Sequence, residues 1–90
     1  MSELSRGTQI AYVPTHAGGD LEHPDVEFGF VMNKPGHVGV FCRYWRKTHL
    51  GELRTVANSE LTPLDCIVKH VSVSQQIVDD TIVRILEEAK

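Results

Sequence analysis

Five side chains able to bind a metal or move a proton fall close together in this sequence: His16, Asp20, His23, Asp25 and Glu27. Imidazole combined with carboxylate suits zinc or another divalent ion. Their spacing fits no zinc-site signature. The stretch that carries them, His16-Ala17-Gly18-Gly19-Asp20-Leu21-Glu22-His23-Pro24-Asp25, reads as a long polar loop. In such a loop Asp20 and Asp25 favour Asx-type turns, and His16 a bond to a backbone carbonyl. The expectation is a loop ordered by its own turns, with no metal and no cofactor.

A second group is Phe41, Arg43, Trp45, Arg46 and Lys47. Aromatic and arginine side chains together on an exposed strand are enriched at protein interfaces. The same types suit stacking on single-stranded bases. Two other outcomes compete. A C-terminal helix can cover Phe41 and Trp45 and make them a second small core, or the basic residues can be an ordinary solvated face.

Catalytic motifs are missing from the sequence. Cys42 has no neighbouring base in a nucleophile arrangement, and Gly18-Gly19 is followed by no phosphate-loop lysine. There is no nucleophile elbow and no HExxH. The expectation is therefore not an enzyme, with metal-dependent catalysis at His16, Asp20 and His23 a distant third reading.

The chain has 90 residues and a net charge of −3, which fits one domain and disfavours a generic nucleic-acid binder. The charge is uneven. Residues 37–54 carry four basic side chains and one acidic, while the segments on either side are acidic. The two cysteines, Cys42 and Cys66, are too few for a disulfide framework and are expected to be buried as small hydrophobes. No apolar run is long enough to span a membrane, and the N-terminus lacks the apolar core of a signal peptide. A cytoplasmic location is expected.

The elements that must position these groups follow from periodicity. Thr8 to Val13 alternates, with Ile10 and Tyr12 on one side and Gln9, Ala11 and Val13 on the other; Pro14 ends it. Val26 to Met32 alternates in the same way, and Asn33-Lys34-Pro35-Gly36 is a turn. His37 to Trp45 is a third strand, with Val38, Val40, Cys42 and Tyr44 facing the core. Leu53 to Asn58 is a weaker fourth strand. Leu61 to Asp65 is a 3₁₀ turn, and Cys66 to Val71 a fifth strand. Ser72 with Gln75 matches a capping box for a helix over 72–90, with Ser74 the alternative cap. Its apolar half is Ile77, Val78, Ile82, Ile85, Leu86 and Ala89, which should dock on the barrel or on a second copy of the chain.

Together these predict a mainly β protein: a five-stranded SH3-like or Tudor-like barrel over 8–71, a lead-in over 1–7, and a C-terminal helix. The run Tyr12-Val13-Pro14, His16-Ala17, Gly19-Asp20, His23-Pro24-Asp25, Glu27 and Gly29 resembles a family of small phage- and prophage-encoded proteins with SH3-like barrels. The resemblance covers roughly residues 7–68 and leaves out the helix. It implies a fold and a phage origin, and no catalytic residue. The function expected is a non-enzymatic binding module that docks on a host or phage protein, for instance to block a bacterial defence. Nucleic-acid binding through the third strand is the alternative.

Overall fold

The computed structural model describes residues 4–33, 35–56 and 58–88. It is mainly β: six antiparallel strands in one open sheet, followed by a helix. The strands are β1 (Gln9–Tyr12), β2 (Glu27–Val31), β3 (Val40–Lys47), β4 (Leu53–Thr55), β5 (Glu60–Thr62) and β6 (Ile67–Lys69). Short 3₁₀ turns lie at Thr15–Ala17 and Leu64–Cys66, and α1 spans Gln75–Glu88. The order across the sheet is β4-β3-β2-β1-β6, with β5 also on β3. Both β4 and β5 pair with the same edge of β3, the one turned away from β2. Trp45 stands opposite Thr55, and Cys42 opposite Glu60. Three steps along β3 therefore face five along its neighbour, so two extra residues interrupt an otherwise continuous strand. The strand beyond the five expected is β5, which forms at Glu60–Thr62 where a turn is expected.

Other expectations shift for local reasons. β3 begins at Val40 rather than His37, and Val38 lies exposed in a turn closed by Gly36 N–H on the Gly39 carbonyl at 2.8 Å. β3 then runs on to Lys47, because pairing with β4 holds a segment whose polar composition resembles a loop. Leu61 belongs to β5, and the 3₁₀ turn starts only after Pro63. The last strand is shorter than expected. Ala57, Ala89 and Lys34 lie outside the described residues. Cys42 is fully buried as expected, but Cys66 is only half-buried.

Alternation along the strands sorts the side chains into three clusters. Ile10, Val31, Val40, Cys42 and Tyr44 form the first, with Tyr12 and Ile67 against it. The Tyr44 hydroxyl, buried here, is hydrogen-bonded to the Thr62 hydroxyl. Phe30 and Met32 meet Val78 and Ile82 of α1 on the opposite face, with Trp45 and Ile85 beside them. Ala11, Val13 and Ala17 form the third, under the β1–β2 loop. Gly29 is required where β2 meets β3: a Cβ there would lie 2.1 Å from the Arg43 carbonyl oxygen.

The helix docks through Val78, Ile82 and Ile85, spaced four and three apart, which places them on one stripe. Ile77 and Leu86, expected in the buried half, are exposed. The cap is Ser74, whose hydroxyl accepts the Ile77 N–H at 3.4 Å. Gln75 does not reach back to Ser72; it donates to the Gly7 carbonyl at 2.9 Å. The main tether is Gln9 on β1. Its buried carboxamide donates to Val73 O at 2.8 Å and accepts Ser72 N–H and Val73 N–H, each at 3.1 Å.

Three substitutions test this docking. Ile82→Ala should destabilise by about 2–4 kcal/mol, as burial of its side chain is lost and a cavity left, while Leu86→Ala should change stability by less than about 0.5 kcal/mol. Gln9→Ala should lose about 2–4 kcal/mol, because backbone groups of Ser72 and Val73 lose their partners. Urea unfolding of the three variants checks both expectations.

Candidate functional site

The β1–β2 loop is tightly built. Pro14 leads into the Thr15–Ala17 turn, which ends at Gly18 in the left-handed region with φ 64°, a conformation glycine adopts without a Cβ clash. Successive backbone bonds then run Asp20 N–H to Ala17 O, His23 N–H to Asp20 O, and Val26 N–H to His23 O, at 3.0–3.2 Å. Asp20 makes the expected Asx turn, accepting Glu22 N–H at 2.9 Å. Ala17, Leu21 and Val26 pack beneath the loop and hold it to the sheet.

This scaffold brings three of the four loop residues together. His16 Nε2 lies 2.7 Å from Asp25 Oδ2. His23 Nδ1 accepts the Asp25 N–H at 3.1 Å, and the two imidazoles meet edge to face with centroids 5.3 Å apart. One ligand atom from each of His16, His23 and Asp25 falls within 4.8 Å of the others. Asp20 is spent on its turn and stands apart. His16 therefore bonds a carboxylate, not a backbone carbonyl, and Asp25 is a side-chain acceptor rather than an Asx-turn former. The hydrogen bond from His16 holds the Asp25 carboxyl below its ordinary value of 3.8, with weaker help from the charges of His16 and His23.

The basic-aromatic strand is divided by the pleat. Phe41, Arg43 and Trp45 share the face opposite Val40, Cys42 and Tyr44, as alternation predicts. Continuation of the strand puts Lys47 with the first set and Arg46 with the second. Arg46 pairs across the β2–β3 register with Glu27 at 2.5 Å, so it is not a free cation. Trp45 is no exposed anchor: it packs on Phe30, ring centroids 5.2 Å apart, at the margin of the helix cluster. Phe41 stays 43% exposed, beyond the cover of α1. Of the two aromatics that sequence left either exposed or covered by the helix, Trp45 is partly covered and Phe41 is exposed.

Between β3, β4 and α1 lies a groove of about 310 Å³ lined by Arg43, Trp45, Arg54, Val56, Arg84 and Ile85, among others. Arg43 donates through Nη1 to the Val56 carbonyl at 3.1 Å. Two N–H groups in its walls, Arg43 Nε and Trp45 Nε1, are buried with no hydrogen-bond partner among the described residues. Arg54 sits beside Glu52 at 3.0 Å, and Glu88 is at the rim. Arg54 and Arg84 were not singled out by sequence, because the helix and β4 must fold before they meet Arg43. Burial pushes the Cys42 thiol up, which leaves it protonated and unreactive. Among the described residues no helix is long and apolar enough to cross a membrane.

No protein-family model, curated protein or solved structure matches the chain.

The loop geometry carries a sign that can be checked. A carboxyl with a depressed folded-state pKa contributes stability above its unfolded value, and that contribution is lost as pH falls through the folded value. His16→Ala should therefore raise the Asp25 pKa toward 3.8. Carbon-detected NMR titration of the Asp25 carboxyl in both proteins measures the change, and an unaltered pKa would show that His16 does not set it.

Proposed function

We propose that this protein is a non-enzymatic binding module that takes an acidic segment of a partner protein into the groove between β3, β4 and α1. The observation that carries the reading is the pair of buried, unpartnered donors, Arg43 Nε and Trp45 Nε1, in the walls of one groove. An unpaired buried donor costs about 1–3 kcal/mol, and an acceptor from a ligand would relieve that cost. Reaching the two N–H groups takes displacement of the side chains that cover them. Arg84 at the same groove favours a carboxylate over a neutral carbonyl, while Arg54, which also lines it, is paired with Glu52. Its volume is at the low end for ligand pockets, room for one or two acidic side chains.

Three further points support the reading. The strand order, the way β4 and β5 together follow one edge of β3, and the 3₁₀ turn before β6 favour an SH3-like barrel left open. The overall negative charge argues against nucleic acid as the main ligand. The resemblance of the Tyr12 to Gly29 run to phage and prophage proteins is what favours a host or phage protein as the partner, in a host cytoplasm, with occlusion of a defence target as one form of the activity.

Trp45 is the sole tryptophan, so its emission reports on the groove directly. Titration with a glutamate-rich peptide should give a saturable change, and Arg84→Glu should weaken it about tenfold. Trp45→Phe removes the indole N–H and should weaken binding, read by calorimetry, while leaving the fold intact. Random single-stranded DNA serves as the comparison at two salt concentrations. Binding of DNA alone, with a steep slope of log K on log salt, would replace this reading with the nucleic-acid one. Peptide binding unaffected by Arg84→Glu would overturn the groove as the site.

A further inference from the structure

We infer that His16, His23 and Asp25 form a binding site for a divalent transition-metal ion of the zinc class, distinct from the arginine groove and independent of it. Three observations carry this. The first is convergence: one ligand atom from each of the three side chains lies within 4.8 Å of the others. The second is the donor set. Two imidazoles and one carboxylate are the ligands chosen by zinc and its neighbours, whereas magnesium and calcium take oxygen alone. The third is support from the scaffold. His16 leaves the Thr15–Ala17 turn and His23 follows the Asp20 turn, and both turns are fixed by backbone bonds and by Ala17 and Leu21 packed on the sheet. Ligands held by such a shell need little ordering when the ion arrives.

The geometry states what binding must change. Ligands at 2.0–2.2 Å from a tetrahedral ion lie roughly 3–3.5 Å apart. His16 Nε2 and Asp25 Oδ2, at 2.7 Å, are already closer than that, so the ion takes the place of the hydrogen between them. His23, whose ligand atom lies within 4.8 Å of the other two, must approach by at most roughly 1.3–1.8 Å to complete the set. Its Nδ1 now accepts the Asp25 N–H, so ligation through Nδ1 gives up that bond, and ligation through Nε2 moves the ring proton to Nδ1 and gives it up as well. Two hydrogen bonds, that of the Asp25 N–H to His23 and that between His16 and Asp25, are therefore exchanged for three metal bonds. His16 and Asp25 are exposed, so the ion keeps an open side for water or for a ligand from elsewhere. Asp20 and Glu27 do not join: the first is engaged with Glu22 N–H and the second with Arg46. The ion would clip the start of the β1–β2 loop to its end.

The test titrates the full chain, freed of metal, with zinc chloride by calorimetry and follows thermal unfolding with and without zinc. Cobalt chloride provides a visible absorption band that reports coordination. One equivalent should bind, and the melting temperature should rise by roughly 10–20 °C at zinc about a hundredfold above the dissociation constant. His16→Ala, His23→Ala and Asp25→Asn should each weaken binding at least tenfold and remove the cobalt band. Asp20→Asn, which keeps the acceptor for Glu22 N–H, should leave both unchanged, and magnesium should give no shift. Circular dichroism of each variant establishes that it is folded. The inference is overturned if wild type takes up no zinc, or if binding survives the three substitutions and instead disappears with His49→Ala, His70→Ala or Cys66→Ser.

Discussion

The carboxamide of Gln9 is the interaction on which the two layers of this protein depend. A short strand and a helix more than sixty positions later have no covalent reason to meet. One buried side chain supplies both a donor and an acceptor to the backbone ahead of the helix, at Ser72 and Val73. That fixes where the helix begins, and hence which of its residues reach Phe30 and Met32. A helix of this length is marginal alone, so its docking face must be selected by tertiary contact. Glutamine is suited to the task where aspartate or glutamate would not be, because an ionised carboxylate offers no donor to the Val73 carbonyl and would be expensive to bury.

The same docking divides the polar surface into two regions. On the helix side, Arg43 and Trp45 are half-covered, and α1 contributes Arg84 to complete a cationic groove. On the far side of the β2–β3 register, Glu27 takes up Arg46, which separates the groove from the histidine loop. The ion proposed for the loop and the acidic partner proposed for the groove would therefore not compete for the same charges.

Much of this was legible in sequence, and the reason is periodicity. Ile10 and Tyr12 against Gln9, Ala11 and Val13, and Val40, Cys42 and Tyr44 against Phe41, Arg43 and Trp45, fall on the faces that alternation requires. The Val78–Ile82–Ile85 stripe was visible for the same reason. What was hidden is what pairing decides. Arg46 and Lys47 have loop composition and become strand only because Arg54 and Leu53 lie opposite them. Glu60 to Thr62 carries no alternating apolar signal and is held by β3. Gln9 reads as a polar residue on a strand, and nothing near it in sequence announces that its partners are Ser72 and Val73. In the loop, the residue types pointed to metal chemistry, but which three would converge depended on turns that spacing alone does not specify.

The interruption between β4 and β5 has a bearing on how such a chain can vary. The two extra residues are an even number, so Thr55 and Leu61 remain on the same side of the sheet, opposite Trp45 and Phe41 respectively. Side chains alternate with period two, and only an odd insertion turns a strand inside out. The connection between Val56 and Glu60 is thus a place where length can drift in pairs of residues while the inside and the outside of the protein keep their identities. A single residue gained or lost there would instead carry Thr62 away from the Tyr44 hydroxyl and bring Leu61 inward, exchanging a buried polar partner for an apolar one. Parity, more than length, is what evolution or a designer must conserve at that point.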